Sequence, residues 1–99
     1  MFVSVIVEPG GVDSAKALNE LLVQSGYTKI QRACWENPKE DEKGLTELKK
    51  NIDGVTDYYD KIRLYQFPID GMFVITELVK KKWRKCALKT KSQAGEKKC

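Results

Sequence analysis

The stretch Phe2-Val3-Ser4-Val5-Ile6-Val7-Glu8-Pro9-Gly10-Gly11 decides how the chain is read. Its β-branched, apolar run Phe2 to Val7 is the composition of a buried central strand. Pro9 has no N–H to give to a continuing ladder, so the strand stops at Glu8. One carboxylate is thereby left at the carboxyl end of a central strand, at a β-to-α corner. Just downstream, Ala17, Leu18, Leu21 and Leu22 form one apolar stripe, with Asp13 or Ser14 as candidate N-cap and Gly26 as the left-handed stop. A helix on that stripe packs against the first strand.

Outward from this unit the chain alternates. Thr28 to Trp35 reads as extended, between Gly26 and the Asn37-Pro38 break, with a short strand near Cys34 to Asn37 that folds back on it. The charged stretch Glu36 to Gly44 reads as a connection. Leu45, Leu48, Ile52 and Val55 then mark a second helix ended by Asp53-Gly54, with Lys49 and Lys50 solvated on its other face. Ile62 and Leu64 alternate with Arg63 and Tyr65 as in a half-buried strand. Pro68-Ile69-Asp70-Gly71 reads as a tight turn, and Met72 to Leu78 as a further strand. Leu78, Val79, Trp83 and Ala87 suggest an amphipathic basic helix, and Ser92 to Cys99 a frayed end. Tyr58, Tyr59 and Tyr65 read as core and hairpin packing.

This order predicts an α+β, ferredoxin-like βαββαβ sandwich with an extra C-terminal strand and both helices on one sheet face. The opposite face then needs a cover, and a homodimer supplies it. Residues 1–78 form the expected domain and 79–99 a basic C-terminal tail.

Charge and composition narrow the classes of function. The 99 residues carry a net charge of +4. From Val79 onward nine basic residues face Glu96 alone, a charge of +8 that leaves −4 for the first 78 residues. A basic tail on a mildly acidic body suits contact with a polyanion. No apolar stretch approaches the roughly 20 residues needed to span a bilayer, and the expectation is a cytoplasmic protein with no membrane partner. With three cysteines, no histidine and no paired C-x-x-C spacing, a zinc site or disulfide framework is not expected, and the thiols are read as reduced.

Three segments carry a resemblance. They are the first strand with its terminal acid, the segment Gly26-Tyr27-Thr28-Lys29-Ile30-Gln31-Arg32-Ala33-Cys34-Trp35-Glu36, and Asp60-Lys61-Ile62-Arg63-Leu64-Tyr65-Gln66-Phe67-Pro68. In this order and spacing, over residues 1 to about 78, the chain resembles the small adaptation subunit of CRISPR systems, the Cas-two family. The resemblance implies a symmetric dimer whose last strand crosses to the partner's sheet. It also implies a role bridging the CRISPR spacer integrase while binding duplex DNA during spacer acquisition, an antiviral function.

Some members are described as Mg²⁺-dependent endonucleases, acting on RNA or DNA. For them the resemblance implies first-strand acids that hold Mg²⁺, which activates a water and neutralises the scissile phosphate. Glu8 is the corresponding catalytic and metal-ligating candidate, standing where the family has Asp. The DNA-binding scaffold is therefore the first expectation and the endonuclease its alternative. A small metabolite-sensing module is a rival from another class, one that would not need the basic tail. The nucleic-acid-binding candidates are Arg32, Lys80, Lys81, Lys82, Arg84 and Lys85, with Trp83 as a core anchor or interface residue.

Overall fold

The computed structural model describes residues 1–67 and 72–89. Its elements are β1 (Phe2–Glu8), α1 (Val12–Gln24), β2 (Thr28–Gln31), β3 (Cys34–Asn37), α2 (Glu42–Val55), β4 (Lys61–Phe67), β5 (Met72–Val79) and β6 (Lys82–Lys89). They build one six-stranded antiparallel sheet in the order β2-β3-β1-β4-β5-β6. The first four strands of that order, with two intervening helices, are consistent with the expected ferredoxin-like mixed fold. The expected turn at Pro68 to Gly71 and the expected frayed end at Ser92 to Cys99 lie outside the described residues.

The core follows from strand alternation. Val3, Val5 and Val7 of β1 and Ile62 and Leu64 of β4 are buried beneath Leu18 and Leu22 of α1 and Leu45, Leu48 and Ile52 of α2. Period-2 burial on the strands meets the helical stripes, and both helices lie over one sheet face. The residues between them, Phe2, Ser4, Ile6 and Glu8, point to the opposite face with Arg63, Tyr65 and Phe67 of β4. That face carries an aromatic cluster with ring centroids 5.4 Å apart for Phe2–Phe67 and 4.8 Å for Phe67–Phe73. Among the described residues nothing covers it, and Ile6 is 40% and Phe67 45% exposed.

Several local expectations change. Thr28 to Trp35 is not one strand: β2 and β3 form a hairpin closed at Arg32-Ala33, where Ala33 has φ 67°. Neither residue is a usual turn former, so this reversal has no sequence punctuation. The α1 N-cap is Gly11, and neither Asp13 nor Ser14 caps the helix with its side chain. In α2 the caps are as ordinary chemistry asks at the start, where Asp41 accepts from the Gly44 N–H at 2.7 Å. Its end is later than expected, because the helix runs through Gly54 to Val55.

The largest correction concerns the basic helix expected over Leu78 to Ala87. These residues belong to β5 and β6, paired in register from Met72↔Lys89 to Val79↔Lys82. Lys80 and Lys81, with φ 53° and 62°, form the reversal. That geometry belongs to two-residue hairpin turns and is ordinarily signalled by Asn or Gly. The left-handed conformation costs roughly 1–2 kcal/mol per ordinary residue, which the ladder and the seating of Trp83 opposite Leu78 offset. The sheet thus continues past residue 78, and the first part of the expected tail is a strand. Cys34 is a free, half-buried thiol.

Candidate nucleic-acid interface

The registers bring Glu8, Arg32 and the Lys80-Lys81 turn to one rim of the sheet, whereas Arg84 and Lys85 lie further along β6, opposite Glu77 and Thr76. Glu8 pairs with Lys61 at the carboxyl end of β1. The β2–β3 turn reaches the same rim, since the Val7 N–H donates to the Ala33 carbonyl at 2.9 Å. The Lys80-Lys81 turn joins it through Ile62↔Leu78. Along this rim, however, Arg32 and the lysine turn stand at opposite edges. Five strand spacings separate β2 from β6, about 24 Å, so Arg32 and the β5–β6 cations do not converge on one phosphate.

At the corner itself the carboxylate that organises the chain is Asp60, not Glu8. Asp60 is fully buried. Its Oδ1 accepts from the Gly10 N–H at 2.6 Å and its Oδ2 from the Asp57 N–H at 2.7 Å, and the Ser14 side chain also bonds to it. Burial pushes its pKa up, but the hydrogen bonds outweigh burial and hold the carboxyl below its usual value. Gly10 is required here: a Cβ would stand 2.5 Å from Tyr59 Cβ and 2.8 Å from the Tyr59 carbonyl oxygen. The close approach of the β1–α1 corner to the loop before β4 lets Asp60 reach the Gly10 amide. Asp60 occurs in the third resemblance segment, yet its role was missed because its Gly10 partner lies fifty residues away.

Glu8 is exposed. Asp13 is also exposed, and Asp60 already spends its oxygens on main-chain donors. Among the described residues no group of three or more His, Cys, Asp or Glu could hold a metal ion. A Mg²⁺ site needs more than a lone carboxylate.

The cations of β6 divide by strand parity. Trp83 and Lys85, opposite Leu78 and Thr76, fall on the helix side; Lys82 and Arg84, opposite Val79 and Glu77, fall on the uncovered side. On that side Arg63 pairs with Glu77 at 3.5 Å. Lys81 is not a free cation. Its Nζ donates to the Asp53 carbonyl at 2.6 Å and the Thr56 carbonyl at 3.2 Å, and lies 3.3 Å from Asp53 Oδ1. It ties the hairpin turn to the end of α2, leaving Lys80, Lys82, Arg84 and Lys85 as the candidates of this hairpin still available to phosphates, with the exposed Arg32 at the other edge.

Sequence reasoning also set aside Lys49 and Lys50 as solvated. Lys49 is half-buried, and both line a groove of about 410 Å³ between α2 and the β5–β6 hairpin, with Asp53, Thr76, Trp83, Arg84 and Lys85. Burial, and then the Lys85 charge, lower the Lys49 pKa. Tyr58 and Tyr59, expected inside, are 53% and 73% exposed. The signal that could have found the groove was Lys49 and Asp53 one helical turn apart, facing the basic strand.

Comparison with protein-family models, with curated proteins and with solved structures finds no match to this chain. Among the described residues no helix is long and apolar enough to cross a membrane.

Proposed function

We propose that this chain acts as the homodimeric, DNA-binding subunit of CRISPR spacer acquisition, in the manner of the Cas-two family it resembles, bridging copies of the spacer integrase in the cytoplasm. The observation that carries the reading is the adjacency of the resembling segments. Three segments scattered over the sequence supply four neighbouring strands, β2-β3-β1-β4. The apolar face, with Ile6 and Phe67 exposed, supports pairing of two copies, because the described residues leave that surface in water. Lys80, Lys82, Arg84 and Lys85 support contact with a duplex, since lysine and arginine neutralise phosphates without reading sequence. A scaffold for spacers of arbitrary sequence needs that kind of contact.

The Mg²⁺-dependent endonuclease is the weaker reading, because among the described residues no group of three or more His, Cys, Asp or Glu gathers around Glu8. The test is duplex binding over a salt series, with the full chain alone and with a cognate integrase. A stable three-component complex is expected, with a steep fall of affinity as salt rises. Replacing Lys80, Lys82 and Arg84 by Gln should flatten the salt slope by about three, and Glu8→Ala should leave binding unchanged. Absence of duplex binding in both conditions would sink the proposal, and Mg²⁺-dependent strand cleavage lost in Glu8→Ala would replace it with the enzyme.

A further inference from the structure

The groove between α2 and the β5–β6 hairpin contains charge and a polar group with no partner among the described residues. Its acid, Asp53, is already engaged by Lys81. Among the described residues, neither Lys49, Lys50 nor Lys85 takes part in an ion pair. Thr76 lines the groove, is only 3% exposed, and its Oγ1 is buried without a hydrogen-bond partner. Lys85 sits directly across the ladder from Thr76. Trp83, two residues along the same face, supplies an aromatic wall.

Each feature is unfavourable in the chain by itself. A hydroxyl removed from solvent needs an acceptor, and ammonium groups gathered in a concavity repel one another. A multi-oxygen anion resolves both, accepting from the hydroxyl and from several ammonium groups. The aromatic wall favours an anion attached to a flat ring system.

We propose that this groove is a phosphate-binding site for a nucleotide, in which Lys49, Lys50 and Lys85 neutralise the phosphate, the Thr76 hydroxyl donates to it, and Trp83 packs against the base. The site goes beyond the duplex reading: it lies on the helix-covered side of the sheet, with Lys49, Lys50 and Thr76 outside the expected DNA-contacting set. The phosphate comes either from a free nucleotide or from the terminus or backbone of a nucleic acid.

Titration of the ¹⁵N-labelled full chain with AMP, inorganic phosphate and adenosine tests the proposal. AMP, and more weakly phosphate, should shift the amides of Lys49, Lys50, Thr76, Trp83 and Lys85, while adenosine alone should not. Lys85→Gln and Lys49→Ala should each weaken AMP about tenfold, the scale of one charge-assisted contact. Thr76→Val should weaken it several-fold with the spectrum otherwise unchanged. Should Lys49→Ala not fold, the exposed Lys85→Gln carries the same test.

Competition between AMP and a short duplex identifies the nucleic acid as the source of the phosphate; simultaneous binding identifies a free nucleotide. Equal binding of adenosine and AMP, or affinity indifferent to Lys49→Ala and Lys85→Gln, overturns the site. Duplex binding that persists while AMP fails to bind would discard the groove and leave the duplex reading intact.

Discussion

The two sides of the molecule treat buried polar groups in opposite ways. At the β1–α1 corner, the fully buried Asp60 carboxylate is met by the Gly10 and Asp57 amides and by Ser14. Beneath the β5–β6 hairpin, the nearly buried Thr76 hydroxyl has no hydrogen-bond partner among the described residues and sits among lysines that take part in no ion pair there. A charge taken out of water and fully bonded rigidifies what it bonds to; an unmatched hydroxyl reduces stability. The first arrangement holds the corner together, and the second leaves binding capacity for something outside the chain.

That contrast is sharpest under substitution. Asp60→Ala should cost about 3 kcal/mol, because two main-chain amides lose their acceptor at once. Urea unfolding measures it, and a loss under about 1 kcal/mol would remove Asp60 from its organising place. The same carboxyl gives a pH signature. Its folded pKa lies below the ordinary value of 3.8, so its contribution is fully present above about pH 4 and is lost as pH falls through the folded value. Asp60→Asn should therefore approach wild-type stability as the medium is acidified from pH 6 towards pH 2. A constant gap across that range would mean the charge itself contributes nothing.

On the other side, Thr76→Val should fall between neutral and about 1 kcal/mol stabilising in the same assay, since it deletes an unpaired buried hydroxyl at nearly constant shape. A clear destabilisation would show that the hydroxyl is satisfied after all and erase the contrast. The smallest effect is expected of Lys81→Met. Its ion pair with Asp53 is substantially exposed, so screening limits the change to about 0.5 kcal/mol, read as a shift of the urea midpoint that shrinks in added salt.

The regions also differ in how far their residues could be read. Glu8 was visible as the strand-terminal acid because Pro9 ends the strand locally. Asp60 was not visible as the corner's clamp, because nothing in Tyr59-Asp60-Lys61 signals that Gly10 will lie against it. The β6 strand was read as a helix because Leu78, Val79, Trp83 and Ala87 fit a loose helical spacing, while the positive-φ turn at Lys80-Lys81 carries no Gly or Asn to announce it. Lys81 was rightly singled out as a cation but is spent on α2, whereas Lys49 was dismissed though the fold half-buries it beside Lys85.

The amino-acid order alone determined the β1 run that stops at Glu8, the two helical stripes on Leu18-Leu22 and Leu45-Leu48-Ile52, the alternation of β4, and the basic excess after Val79. These are local properties, set by period, by Pro and Gly, and by composition. Tertiary structure decided which carboxylate is buried, which face of β6 each cation takes, and which lysines share a groove with Thr76. Those outcomes depend on register between strands and on a helix crossing them. A shift of one residue in β6 would exchange Lys85 for Arg84 beneath α2 without changing any local pattern.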